Sequence, residues 1–270
     1  MSEQTVELVR ELAGAVRVTG EQRPGLFVTG TDTGVGKTVV SCGIAAAMRR
    51  FGYRIGVCKP FGSGCRRDRE GLVHEDAEAL AHFADCRESL DVINPIRFKA
   101  PLAPAAAALE LGESIDFSAI GRSLERLSVH HDVLLVEGVG GVMVPIDPDR
   151  PGVTVLELMG ALGYPAVVVA RAGLGTLNHT AMTVRVMRDA GVRVLGVVMN
   201  GVDTSGVEEA ADPSLVSNAA WIERMTGLPI LAKVPRVKER DSAVAEARLD
   251  GAVVDALAGV DWVGLMSRQR

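Results

Sequence analysis

Residues 27–38 read Phe27-Val28-Thr29-Gly30-Thr31-Asp32-Thr33-Gly34-Val35-Gly36-Lys37-Thr38, and this stretch decides the fold. The apolar run Leu26-Phe27-Val28 feeds a glycine-rich turn, and Gly36-Lys37-Thr38 opens a helical pattern over Val39–Arg50. Strand, glycine-rich loop and helix in that order are the context a phosphate-binding loop needs. Glycine lets the loop backbone take positive φ and pass close to a ligand. The N–H groups from Thr33 through Gly34, Val35 and Gly36, with the helix N-terminus, then offer partial positive charge to phosphate. In such a loop Lys37 reaches the β- and γ-phosphates and the Thr38 hydroxyl reaches Mg²⁺. The strict pattern has glycine six positions before the lysine, where Thr31 stands here; Gly30 comes one place earlier, so the loop is one residue longer. A glycine-rich turn with a chance Lys-Thr would not explain the flanking strand and helix.

Outward from the loop, bulk properties narrow the class. A chain of 270 residues accommodates one large α/β domain, read here as residues 25–270 behind an extension at 1–24. Hydrophobic residues make up 47% but aromatics only 4%, so Val, Leu, Ile and Ala must fill the core. The net charge of −5 argues against a nucleic-acid partner, which favours a basic surface. Cys42, Cys58, Cys65 and Cys86 form no close-spaced pair of zinc or redox type, and dispersed thiols fit a reducing cytoplasm. No apolar run approaches the roughly 18–20 residues of a membrane span, and the N-terminus lacks a signal layout. Val6, Leu8, Val9, Leu12 and Val16 form one face of a helix appended to the core.

The remaining pattern alternates. Strands are expected at Arg54–Cys58, Val133–Val136, Ala166–Ala170, Val194–Met199 and Ile230–Val234. Helices are expected at Glu75–Phe83, Ala105–Leu111, Phe117–Val129, Val153–Leu162, Asn178–Ala190, Ser214–Met225 and, more weakly, Ala243–Ala258. Phe61–Gly71 reads as a loop, Gly140–Pro145 as a loop with a short strand, and Asn94–Pro104, with its prolines, as irregular or edge structure. Continuously apolar strands alternating with helices imply a doubly wound, mainly parallel β-sheet flanked by helices, an α/β fold of P-loop NTPase type. Ligands gather beyond the carboxyl ends of such strands. There the chain places Lys59, Glu137, Arg171 and Asn200 beside the phosphate loop.

These residues carry chemistry. Glu137 closes an apolar strand as the second acid of P-loop proteins does, where it holds Mg²⁺ directly or through water. Asp76, at a helix start, is either a further Mg²⁺ ligand or an acid answering the helix dipole. Lys59 at a strand end suits a carboxylate or carbamate beside the leaving phosphate, or snorkels to solvent. Ser63 could donate to the same group or simply turn the chain. Gly173-Leu174-Gly175-Thr176-Leu177-Asn178 forms either a second, backbone-built anion cradle or an ordinary helix start capped by Thr176 or Asn178. The histidines do not cluster as a metal site.

Gly30–Thr38, Lys59-Pro60-Phe61-Gly62-Ser63-Gly64, Val136-Glu137-Gly138-Val139-Gly140-Gly141-Val142-Met143-Val144-Pro145, Gly173–His179 and Val198-Met199-Asn200-Gly201, in this order, resemble the dethiobiotin synthetase family of biotin biosynthesis. The resemblance runs from Gly25 to about Pro235. It implies an ATP-dependent cyclo-ligase acting on 7,8-diaminononanoate and CO₂ or bicarbonate. One amine becomes a carbamate, the carbamate attacks the γ-phosphate, and the second amine closes the ureido ring and expels phosphate. By the family pattern Thr38, Asp76 and Glu137 hold Mg²⁺, Lys37 and Lys59 are catalytic, and Thr33, Lys59 and Ser63 meet the diamine or carbamate. Asn200 reads the adenine edge. Gly173, Leu174, Gly175, Thr176 and Asn178 take the distal carboxylate across a homodimer interface. Two departures stand out: Gly34 replaces a glutamate of some members, and Pro101–Ala105 lacks the polar residues that some carry there.

Two other readings compete. A switch ATPase of the partition or cluster-assembly type usually has a lysine where Asp32 stands. A cobyrinate-type amide synthase adds a glutamine-hydrolysing domain, for which the chain after Val234 is too short.

Overall fold

Six apolar segments pair side by side as one parallel sheet in a computed structural model that describes residues 3–16, 23–69, 71–203, 212–237 and 243–267. In chain order the strands are β1 (Gly25–Gly30), β2 (Ile55–Cys58), β3 (Phe61–Ser63), β4 (Arg66–Asp68), β5 (Gly71–Val73), β6 (Ile96–Phe98), β7 (Val133–Gly141), β8 (Ala166–Arg171), β9 (Val194–Val202) and β10 (Ile230–Pro235). The helices are α1 (Glu3–Val16), α2 (Lys37–Arg50), α3 (Glu75–Ala84), α4 (Leu90–Ile93), α5 (Pro104–Leu111), α6 (Phe117–His130), α7 (Val155–Leu162), α8 (Thr176–Asp189), α9 (Ser214–Thr226), α10 (Gly251–Ala258) and α11 (Trp262–Ser267).

The main sheet runs β10-β9-β8-β1-β7-β2, with every pairing parallel. β1 is buried along its whole length, and β8 up to its last residue, as strands covered on both faces must be. α2, with α3 and α10 against it, packs on β1, β2 and β7; α8 lies on β8 and β9, and α9 on β10. β1 sits between β7 and β8, so the chain leaves the middle of the sheet for one edge and returns to build the other. The crevice at that reversal lies beyond the end of β1, where the glycine-rich loop stands.

Several expectations are corrected. β7 does not stop at Val136: Val28 pairs with Glu137 and Gly30 with Gly141, so the ladder carries the strand past the acid. Glu137 therefore projects from inside a strand. The expected loop at Phe61–Gly71 carries short strands, β3 pairing with β6 and β4 with β5. Gly140–Pro145 holds no separate strand, only the tail of β7, a turn and a single bridge from Pro145 to Thr154. α8 begins at Thr176 behind Gly175, whose left-handed φ of 90° starts the helix without a side-chain cap, so neither Thr176 nor Asn178 is a cap. The expected last helix is divided: a 3₁₀ turn at Val244–Glu246 ends at left-handed Ala247, and Asp250 caps α10 by accepting from Ala252 N at 2.8 Å.

The N-terminal helix is built into the core. α1 packs across α6 and α7, and Leu8 and Leu12 are buried while Val9 is half-buried and Val6 is exposed. The side chain of Val16 lies outside the described set. Glu11 accepts two hydrogen bonds from the Arg150 guanidinium, at 2.9 and 3.0 Å, which ties the helix to the turn before α7. Truncating a fully buried leucine removes its transfer energy and leaves a cavity. Leu8→Ala should lower the unfolding free energy by about 2–4 kcal/mol in urea titration, whereas a change under about 0.5 kcal/mol would show that α1 does not support the core.

Candidate functional site

The loop geometry begins with two glycines. Gly34 and Gly36 have φ of 73° and 91°, a region that side-chain-bearing residues avoid. A Cβ on Gly36 would also come within 1.9 Å of Asn200 Nδ2. That amide donates to the Val35 carbonyl at 3.0 Å, so β9 braces the loop from behind. The first turn of α2 contains no acid and its start has no side-chain cap, which leaves its N–H dipoles free for an external anion. Lys37 Nζ folds back to donate to the Asp32 carbonyl at 3.0 Å. Burial disfavours its charge and brings its pKa down to about 8, against the pull of Glu137. The Asp32 carboxylate faces Arg171, 3.5 Å away.

Next to the loop is a buried charge cluster. Lys59 follows β2 directly, and its backbone is held on both sides: its N–H donates to Ile93 O at 2.7 Å, and Asn94 Nδ2 donates to its carbonyl at 2.6 Å. Its Nζ then lies 2.5 Å from Glu137 Oε1 and 2.6 Å from Asp76 Oδ2. Burial opposes the ammonium, but the two carboxylates outweigh it and hold Lys59 well above the usual lysine range. Burial likewise opposes ionisation of Asp76, and Lys59 overcomes it, lowering that carboxyl. Thr38 Oγ1 donates to Glu137 Oε1 at 2.9 Å. His74 caps α3: its Nδ1 accepts from Asp76 N at 3.1 Å, while Nε2 lies 3.0 Å from the Ser63 carbonyl. Since a carbonyl only accepts, the proton is on Nε2.

One cavity of about 640 Å³ gathers these groups: Thr33, Gly34, Gly36, Lys37, Thr38, Lys59, Ser63, His74 and Asp76 all line it. Glu137 lies beneath, reached through Lys59 and Thr38. Two buried polar atoms there, Ser63 Oγ and Glu137 Oε2, have no protein partner. Among the described residues no three His, Cys, Asp or Glu side chains converge as a metal cluster. The donor set is instead Thr38 Oγ1, Asp76 and the free Oε2 of Glu137. That set fits Mg²⁺, which takes few carboxylates and completes its shell with phosphate oxygens and water.

Other expected residues lie elsewhere. Val35 belongs to the loop but its side chain is buried away from the cavity, and Asn200 stands behind the loop; neither lines the cavity wall. The Gly173–Asn178 segment is outside the cavity: Leu174 is exposed, Thr176 is fully buried with its hydroxyl on Thr180 at 3.3 Å, and Asn178 is exposed. Its backbone does hold an anion, because Leu174 N donates to the Asp212 carboxylate at 2.9 Å. Two contributors, His74 and the Val244–Ala245 pair, went unforeseen. His74 could have been found from its place just before an acid-rich helix start. Pro101, Leu102 and Ala103, in the segment where the family resemblance showed apolar residues replacing polar ones, form an apolar wall; Val244 and Ala245 close another side from the C-terminal segment, and no local pattern marks those two.

Residues 24–243 match a family described as an AAA domain. The chain is 42% identical to the ATP-dependent dethiobiotin synthetase BioD of Anaeromyxobacter sp. (strain Fw109-5), across 80% of this chain and 91% of that protein. It is 44% identical to the protein of the same name from Anaeromyxobacter sp. (strain K), across 78% and 89%. With that of Bacillus subtilis (strain 168) it shares 37% across 79% and 87%. Among solved structures, the MinC:MinD cell division protein complex of Aquifex aeolicus superposes with a TM-score of 0.52 at 15% identity, covering 91% of this chain and 97% of that one. A ParA family ATPase from Chlorobium tepidum TLS gives 0.50 at 16%, covering 91% and 98%. These two likenesses speak to the fold alone, a P-loop NTPase sheet flanked by helices.

The depressed Lys37 has a measurable consequence. Its charge is disfavoured in the folded protein, so it costs stability below about pH 8, and that cost fades as pH rises towards the ordinary lysine value of about 10.5. In the nucleotide-free protein, wild type should gain about 1–3 kcal/mol relative to Lys37→Met between pH 7 and pH 10. Parallel urea titrations at the two pH values check this; a constant difference would mean that Lys37 titrates normally.

Proposed function

The chain belongs to the dethiobiotin synthetase family, and we propose that its cavity carries out that family's ring closure on 7,8-diaminononanoate, bicarbonate-derived CO₂ and ATP. It is an ATP-dependent ligase. The single observation that best supports the site assignment is the convergence of two buried lysines, Lys37 and Lys59, with the partnerless Ser63 Oγ on one cavity beside the phosphate loop.

In this reading the loop N–H groups from Thr33 to Thr38 receive the β- and γ-phosphates. Lys37 leaves its internal carbonyl partner for the γ-phosphate, an exchange its burial favours because the phosphate restores a partner for its charge. Thr38, Asp76 and Glu137 Oε2 would hold Mg²⁺, which when bound neutralises phosphate charge. Lys59 keeps its proton through the cycle, since Glu137 and Asp76 hold it charged. It has three N–H bonds, and the two carboxylates take two. The third is left for a carbamate oxygen, with Ser63 Oγ donating to the same group. Held there, the carbamate oxygen attacks the γ-phosphorus, ADP leaves, and the second amine attacks the carbamic–phosphoric anhydride carbon and expels phosphate. A fixed positive charge helps both steps, because negative charge builds on the transferred group in each.

The 173–178 backbone would take the substrate's distal carboxylate from a second copy of the chain, after displacing Asp212 from Leu174 N. That makes a homodimer part of the reading. We place the protein in the cytoplasm, where the family's substrates would be met; among the described residues no helix is long and apolar enough to cross a membrane.

Phosphate release from ATP should be slow alone and rise steeply when diaminononanoate and bicarbonate are both present. Release that ignores the diamine would favour a switch-type ATPase. Lys59→Ala should lower turnover by about 10²–10³-fold while ATP affinity changes less than about threefold, since Lys59 meets the carbamate rather than the nucleotide. Turnover at the wild-type rate would remove Lys59 from this role.

A further inference from the structure

The open edge of the sheet carries a second arrangement of chemical groups. β2 is an edge strand, and Gly56 within it leaves room for an imidazole: a Cβ there would come within 3.1 Å of His131 Cγ. His131 Nδ1 lies 2.7 Å from the Leu127 carbonyl. That carbonyl can only accept, so Nδ1 carries the ring proton and Nε2 presents a lone pair. Nε2 faces Cys86 Sγ at 3.7 Å. A nucleophile, a base and an acceptor that orients the base are thus in line. A cavity of about 390 Å³ lies beside the pair, lined by His131, by Arg54, and by Asp85 and Arg87 on either side of Cys86, while Cys86 itself is 5% exposed and is reached from that cavity past His131 and its two chain neighbours.

The thiol's surroundings set it apart from the other cysteines. Burial opposes the Cys86 thiolate, but His131 and the backbone N–H groups of Glu88 and Val57 outweigh it and bring the thiol below its ordinary value. Burial pushes Cys42, Cys58 and Cys65 up. A buried thiol without such partners is inert.

From the Cys86–His131 pair and the cavity beside it, we propose a modification site at which Cys86 is oxidised by small hydroperoxides. His131 Nε2 takes the thiol proton, and the sulfur attacks the terminal, hydrogen-bearing peroxide oxygen. The S–O bond forms as the O–O bond breaks. The departing oxygen takes the electron pair and the proton from His131. Sulfur is oxidised to a sulfenic acid by two electrons, and the hydroperoxide is reduced to an alcohol, or to water when the oxidant is hydrogen peroxide.

The test treats the intact protein with substoichiometric hydrogen peroxide in the presence of dimedone, which traps sulfenic acids, and maps the adducts by peptide mass. Cys86 should be labelled about tenfold or more faster than Cys42, Cys58 or Cys65, and faster than the same cysteine in the urea-unfolded chain. His131→Gln should bring Cys86 down to the level of the other three, and Cys86→Ser should abolish the dominant adduct. Labelling of native Cys86 no faster than in the unfolded chain overturns the proposal, and that comparison needs no variant to fold.

Discussion

The ammonium of Lys59, buried between Glu137 and Asp76, is the interaction on which the rest of the site depends. Taking an isolated lysine out of water costs several kcal/mol, and two carboxylates with good geometry are needed to offset it. Those carboxylates come from different parts of the chain: Glu137 from inside β7, Asp76 from the first turn of α3. Holding the cluster together therefore fixes β2, β7 and α3 against one another. It also keeps a permanent cation beside a loop built for phosphate. Removing either acid would leave a buried charge only half-compensated, at a cost of about 3–5 kcal/mol, so folding and chemistry share one constraint.

The parallel sheet explains why these groups meet at one end. Parallel strands all deliver their carboxyl ends to the same side. β1 supplies the phosphate loop, β2 supplies Lys59, and β9 supplies the amide of Asn200 that braces the loop. β7 continues where β2 stops, because its residues up to Gly141 still pair with β1. That extra length places the Glu137 carboxylate under the Lys59 ammonium. The Cys86–His131 pair also packs against β2, but at Gly56, beside its open edge.

Much of this was legible in the sequence because it depends on local patterns. The loop from Gly30 to Thr38 identified itself, and uninterrupted apolar runs such as Ala166–Ala170 marked strands buried on both faces. Lys59 and Glu137 stood out as charges after such runs. What could not be read was the pairing that makes them a unit, since it joins residues far apart in the chain. The length of β7 was missed for a related reason: Glu137-Gly138-Val139-Gly140-Gly141 has little strand propensity, and the ladder to β1 overrides it. Leu8 and Leu12 showed a helical face, but only the packing reveals that α6 and α7 cover it. Val244 and Ala245 carry no chemical signature; their place on the cavity wall comes from the path of the C-terminal segment alone.

In the proposed mechanism the γ-phosphoryl group passes to a carbamate oxygen held at Lys59 and not to water. Short incubations with ¹⁸O-labelled bicarbonate, diaminononanoate and ATP in unlabelled water, quenched before the label exchanges, test it directly by the mass of the released phosphate. One bicarbonate oxygen should appear in each phosphate formed with dethiobiotin. Phosphate that carries only solvent oxygen, formed at the same rate as dethiobiotin, would contradict it.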